Sequence, residues 1–160
     1  MTTMTDELVK GRLSDFDAFW LTVWAEGRGE PIEGQVAIAC TIRNRVKTPG
    51  RFGGTYRAVC LRPKQFSCWN EGRDRNHLQL MALAQAIVDD YAIRSTLPAD
   101  EVMEQVRCVC EGVMSGRLLD NVRGADHYLT LQLFTAKPPS WAKGQHPVAY
   151  KGAHAFLKLG

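Results

Sequence analysis

The chain has 160 residues, 45% hydrophobic and 23% charged, which suffices for one domain with its own core. That balance excludes a disordered or low-complexity chain, and charges interrupt every apolar stretch well before the ~18 residues a membrane span needs. The net charge of +3 suits an anionic partner but falls short of the basic bias of a nucleic-acid binder.

The start, Met1 to Glu7, is polar and acidic. It has no basic stretch followed by an apolar one, so the expectation is a protein made in the cytoplasm without a secretory signal peptide. Residues 1–13 are expected to be a loosely held N-terminal segment, and residues 14–160 a single domain. From Ser14 the spacing predicts a helix, capped by Ser14 or Asp15 and carrying Phe16, Phe19, Trp20, Val23 and Trp24. Gly27, Gly29 and Pro31 end it. A second helix follows over 32–46. Val36, Ala37, Ile38, Ala39, Cys40 and Ile42 make it apolar around much of its circumference, so it is expected to be the most buried helix. Its end carries Arg43, Arg45 and Lys47, where the helix dipole favours cations.

Residues 48–76 are rich in glycine, proline, arginine and aromatics, and read as an irregular segment with a short helix at 55–61. Asn76 is the expected cap of a helix with an apolar stripe of Leu80, Leu83, Ala84, Ile87, Val88 and Tyr91. Another helix starts near Pro98-Ala99-Asp100-Glu101 and stops at Gly116. Beyond Asn121 the texture changes. His127-Tyr128-Leu129 and Ala153 to Leu157 are candidate short strands, paired with each other. The fold class is therefore mainly α (α+β): a helical domain with a small β element near the C-terminus.

Five cysteines are present, at 40, 60, 68, 108 and 110. Their number is odd and no Cys-x-x-Cys occurs, so the expectation is reduced thiols, several buried as small apolar groups. The four histidines, His77, His127, His146 and His154, lack metal-ligand spacing. No metal or other cofactor is expected.

The strongest chemical candidate is Glu26. A carboxyl group at the end of a helix carrying Phe19, Trp20 and Trp24 is partly desolvated, which disfavours its charged form and raises its pKa. Such a glutamate can protonate a leaving oxygen near neutral pH. The glycines after it let a bulky polymer approach the backbone. On spacing alone, a solvated acid at a helix end is the favoured reading.

The stretch Trp24-Ala25-Glu26-Gly27-Arg28-Gly29-Glu30-Pro31, followed by Gly34 to Ala39 and by Asn44-Arg45-Val46, resembles the SleB-type cell-wall hydrolases, the spore cortex-lytic enzyme family. Four later segments match in the same order: Pro63 to Trp69, Gly124 to Tyr128, Pro139 to Ala142 and Gly152 to Phe156. The resemblance implies a lysozyme-like helical core acting on peptidoglycan glycan strands. It implies cleavage of the β-1,4 bond between N-acetylmuramic acid and N-acetylglucosamine, as a lytic transglycosylase or a muramidase. Glu26 matches the family's essential glutamate, acting first as general acid and then as base on the muramyl 6-hydroxyl or on water.

Glu30 and Asp126 are the candidate assisting carboxylates. Glu30 also fits a structural acid at the start of the next helix, held by the dipole, Arg28 or Arg45. Asp126 departs from the family, which has a small polar residue before the His-Tyr pair. Gln65, Phe66, Ser67, Trp69, His127, Tyr128 and Trp141 are the candidate substrate-binding residues. Amides and hydroxyls suit acetamido and hydroxyl groups, and aromatic rings cover pyranose faces. His154 is expected to pack in a strand. Two rival readings are a peptidoglycan amidase or peptidase and a non-catalytic glycan-binding module. A lone catalytic domain with no evident signal peptide suggests a monomeric phage-type endolysin. Holin-type release would bring it to the periplasmic cell wall, with no nucleic-acid partner and no stable membrane insertion.

Overall fold

The computed structural model describes residues 5–70, 74–89 and 100–160. Its helices are α1 (Asp6–Arg12), α2 (Asp15–Gly27), α3 (Ile32–Val46), α4 (Tyr56–Leu61), α5 (Arg75–Asp89), α6 (Glu101–Ser115) and α7 (Leu131–Ala136). The strands are β1 (His127–Thr130), β2 (Ala149–Lys151) and β3 (His154–Leu157). The protein is thus mainly helical with a small C-terminal sheet, the architecture its sequence predicts.

Ser14 caps α2 by accepting from the Asp17 amide at 3.1 Å, the role its hydroxyl predicts. α2 is buried along nearly its whole length and packs on α3, α4, α5 and α6. The expectation that α3 is the most buried helix is therefore corrected. α2 is enclosed at least as fully, because Phe19, Trp20, Leu21 and Val23 fill the space between the other helices. A Cβ on Gly27 would lie 2.8 Å from Ile38 Cδ1, so glycine here permits the close approach of α2 to α3.

Residues 6–12, expected to be loosely held, form α1. Thr5 caps it, Asp6 and Glu7 occupy its first turn, and Lys10 and Arg12 its last, all favourable to the helix dipole. Val9 and Leu13, one turn apart, are buried, and α1 packs on α5.

Thr55 caps α4, and the long irregular stretch also holds a 3-10 turn at Ser67–Trp69. At the start of α5, Asp74 rather than Asn76 accepts the capping bond, from the Asn76 amide at 3.0 Å. Asn76 uses its own amide group to reach the Ala25 carbonyl. Tyr91, Pro98 and Ala99 lie outside the described residues. Asp100 caps α6, and Gly116 closes it with φ +83°.

The sheet has the order β1-β3-β2, with both pairings antiparallel. Tyr128 stands opposite Phe156, and Leu129 opposite Ala155. One face gives Tyr128 and Phe156 to the helical core. The other gives Leu129, Ala155 and Leu157 to a smaller cluster with Ala142, Phe134 and Leu159. The pairing of β1 with β3 is the expected one. β2 and α7 were not expected: a three-residue strand carries too little alternation to be legible, and α7 buries no residue fully.

The end of α3 fixes the sheet to the helices. Arg43 donates to the carbonyls of Val113 and Leu118, Asn44 to the Ala125 carbonyl at 2.9 Å, and Arg45 Nε to the Asp126 carbonyl at 2.7 Å. These bonds hold residues 118–126 and so aim β1 at the last turn of α2.

Candidate active site

Glu26 occupies the last turn of α2. On a helix it shares a face with Thr22 and Val23, while Trp24 turns away. Trp24 meets the Arg28 guanidinium instead, 4.2 Å from its ring centroid. Trp20 is deep in the core with its indole N–H on Asp17. The desolvation of Glu26 therefore comes from a different source than its own helix's tryptophans. The residues facing it are Cys68 from the 62–70 loop, Tyr128 from β1 and Arg45 from α3.

Burial pushes the Glu26 pKa up. Three groups oppose that rise without reversing it. The Cys68 thiol and the Tyr128 hydroxyl hydrogen-bond to the carboxyl group, and the Arg45 charge favours its ionised form. The tyrosine and the thiol respond in kind: burial and the neighbouring Glu26 raise both, so each stays protonated as a donor. The result is a carboxyl group that holds its proton more firmly than an exposed glutamate, yet has donors in place for the anion left when the proton departs.

Arg45 is the site residue that composition concealed. It reads as one of three cations at the end of α3, but it is 6% exposed. Its guanidinium lies 5.0 Å from the Phe52 ring and 5.2 Å from the Phe66 ring, and it donates to Gln65 Oε1 at 3.3 Å. Cys68 was also read as a small apolar group. The signal for both was their position inside the matched segments, not their residue type.

Glu30 sits just before α3. Its Oε1 is 3.0 Å from His154 Nδ1, and its Oε2 accepts from the Ala153 amide at 3.2 Å. Its partners are thus the β2–β3 turn and β3, not Arg28 or Arg45 as expected. The His154 ring in turn meets the Tyr128 ring edge-on at 5.4 Å. Gly152 in this turn has φ +54°, and a Cβ there would overlap Glu30 Oε2.

Asp126 is 3% exposed. It accepts from His127 Nδ1 at 2.8 Å, from the Leu159 amide at 2.9 Å and from the Gly160 amide at 3.1 Å. Burial raises its pKa, but these donors win and hold it below the usual carboxylate range. Its carboxylate is occupied in fastening the chain behind β3.

The remaining candidates divide. Gln65 and Ser67 are exposed on the loop, and Phe66 is buried beside Arg45. Trp69 is 3% exposed, and its indole N–H donates to Thr22 Oγ1 at 2.8 Å. Its aromatic bulk completes the core beneath the loop. Trp141 is 41% exposed, and its ring lies 5.2 Å from that of His127, which also meets Phe52 edge-on at 5.9 Å. His127 and Trp141 thus form an aromatic pair at the start of β1. Among the described residues, no group of three or more His, Cys, Asp or Glu could hold a metal ion, and no helix is long and apolar enough to cross a membrane.

The fold has solved counterparts. The catalytic domain of the Bacillus cereus SleB protein aligns with a TM-score of 0.61 and 24% identity, over 90% of this chain and 89% of that one. The catalytic domain of the germination-specific lytic transglycosylase SleB from Bacillus anthracis aligns with a TM-score of 0.60 and 24% identity, over 90% of this chain and 93% of that one. Among curated proteins none matches the sequence. A family model matches residues 29–157, a span that takes in Glu30, Arg45, Cys68 and Tyr128 and begins just after Glu26. With most of its length inside that match, the chain belongs to the cell wall hydrolase family.

Proposed function

We propose that the protein cleaves the β-1,4 bond between N-acetylmuramic acid and N-acetylglucosamine in peptidoglycan, with Glu26 as general acid and then general base. The observation that carries this is the setting of Glu26: a carboxyl group whose pKa burial raises, with Tyr128 and Cys68 as donors and Arg45 nearby. A proton held by such a group is available to a glycosidic oxygen near neutral pH. Family membership supports a cell-wall substrate.

The Glu26 carboxyl proton passes to the glycosidic oxygen as the bond from that oxygen to the muramyl C1 breaks. The Tyr128 and Cys68 donors then hold the carboxylate. The muramyl 6-hydroxyl attacks C1, its proton returns to Glu26, and a 1,6-anhydro ring closes. This route needs one carboxylate, because the attacking group belongs to the substrate. It is favoured over hydrolysis by the engagement of the alternatives: Glu30 is tied to His154 and the Ala153 amide, and Asp126 to His127 and two backbone amides. The name of the Bacillus anthracis counterpart, a lytic transglycosylase, points the same way. Gln65, Ser67, His127 and Trp141 are the residues we assign to glycan binding.

Mass spectrometry of digested peptidoglycan tests the reaction. Anhydro-muramyl ends are expected. Reducing muramyl ends would replace the lytic route by hydrolysis, and newly freed amino groups without glycan cleavage would replace both by an amidase or peptidase.

A further inference from the structure

Two adjoining cavities, of about 280 Å³ and 440 Å³, lie beside the 62–70 loop. Both are lined by Glu7, Lys10, Leu61 and Arg62; Arg57 adds to one and Lys64 to the other. Four cations thus face one carboxylate, and that carboxylate, Glu7, is 77% exposed and paired with Lys10 at 3.3 Å. The groove keeps a net positive charge.

Its construction fixes some of these charges and leaves others free. The Lys10 side chain is only 15% exposed, and its ammonium donates to the Trp69 carbonyl at 2.9 Å. Arg57 reaches the Lys10 carbonyl, while its Nε is buried without a hydrogen-bond partner among the described residues. Arg62 donates to the Arg51 carbonyl at 2.6 Å. Lys64 is exposed and makes no hydrogen bond or ion pair among the described residues. It also has φ +67°, a left-handed conformation costly for a residue with a Cβ.

The same loop lines the reacting centre. Gln65, next to Lys64, accepts from Arg45, and Cys68 hydrogen-bonds to Glu26. Trp69, one residue further, lends its carbonyl to Lys10 in the groove. One nine-residue loop therefore has the glutamate on one side and the cations on the other. In peptidoglycan the neutral glycan carries anionic peptides on its muramyl units. A glycan bound at Glu26 would place its carboxylates alongside, not on, the reacting sugar.

We propose that this groove binds the carboxylates of peptidoglycan stem peptides and thereby favours peptide-bearing strands over bare glycan. The proposal rests on the assignment of glycan cleavage to Glu26. Long, exposed cations such as Arg62 and Lys64 contribute modestly one at a time and more strongly together, and salt weakens them.

The test compares two substrates: intact sacculi and glycan strands stripped of their peptides by an amidase. With Arg62→Gln/Lys64→Gln, kcat/KM on intact sacculi should fall about three- to tenfold at low salt and recover toward wild type as salt is raised. On stripped strands, which keep only the lactyl carboxylate at each muramyl sugar and lack the peptide carboxylates, the variant should match wild type. The single variant Lys64→Gln breaks no internal bond and should show the smaller share of the same selective loss. An equal loss on both substrates, or no loss on sacculi, overturns the proposal. A wild-type protein that cleaves neither substrate instead overturns the assignment to Glu26 on which it rests.

Discussion

Replacing Gly152 by alanine should destabilise the fold, and it should do so through Glu30. The left-handed backbone at φ +54° costs a residue with a Cβ about 1–2 kcal/mol. The new Cβ would also overlap Glu30 Oε2, so the carboxyl group must move. Moving it gives up the bond from the Ala153 amide and the contact with His154, together worth about 1–2 kcal/mol at a partly exposed site. The total is about 2–4 kcal/mol, which for a chain of this size lowers Tm by roughly 5–15 °C. Gly144 supplies the control. It has φ +78° with open space around a built Cβ, so Gly144→Ala should cost only the backbone part. Thermal denaturation of Gly152→Ala, Glu30→Ala and the double variant then isolates the coupling. Once Glu30 is truncated the overlap is gone, and the double variant should lose about 1–2 kcal/mol less than the sum of the singles. Additive losses, or a Gly152→Ala variant no weaker than Gly144→Ala, would refute Glu30 as the anchor of the β2–β3 turn.

Three further outcomes follow from the same geometry. Glu26 acts in its protonated form first, so activity is present below its raised pKa and is lost as pH rises through it. Tyr128→Phe removes a donor that lowers this pKa, so the alkaline limb of kcat/KM should move to higher pH; Cys68→Ser, which supplies a stronger donor, should move it lower. Trp141→Ala should raise KM about three- to tenfold with kcat held, and Tm should barely change because the ring is 41% exposed. Asp126→Asn should cost about 1–3 kcal/mol at neutral pH. Because the folded-state pKa of Asp126 is depressed, its contribution is full above the ordinary carboxylate range and is lost as pH falls through the folded value, so the gap from wild type in a denaturation series should close in acid.

What the sequence made legible was local. Ser14, Thr55, Asp100 and Gly116 each carry a side-chain or backbone property that starts or stops a helix, and each does so in the structure. β1 and β3 are long enough for their pattern to register, while three-residue β2 is not. α1 escaped notice because two buried residues, Val9 and Leu13, supply its whole apolar face. The site was less legible because its electrostatics are tertiary. Glu26 looked desolvated by the tryptophans nearest in sequence, yet helical geometry turns Trp24 away, and Cys68, Arg45 and Tyr128 arrive from three other elements. Residue type alone does not reveal that Trp69 and Arg45 are buried; both depend on what the chain folds around them.

The central claim, that Glu26 transfers the proton, is tested most directly by Glu26→Gln. The amide keeps the size of the side chain and removes its acid function. Clearing of a peptidoglycan suspension should fall by about two to four orders of magnitude, with the wild-type circular dichroism spectrum and Tm near or above the wild-type value, since the burial of a raised-pKa acid is relieved. A folded Glu26→Gln protein that still clears the suspension at near wild-type rate would contradict the account.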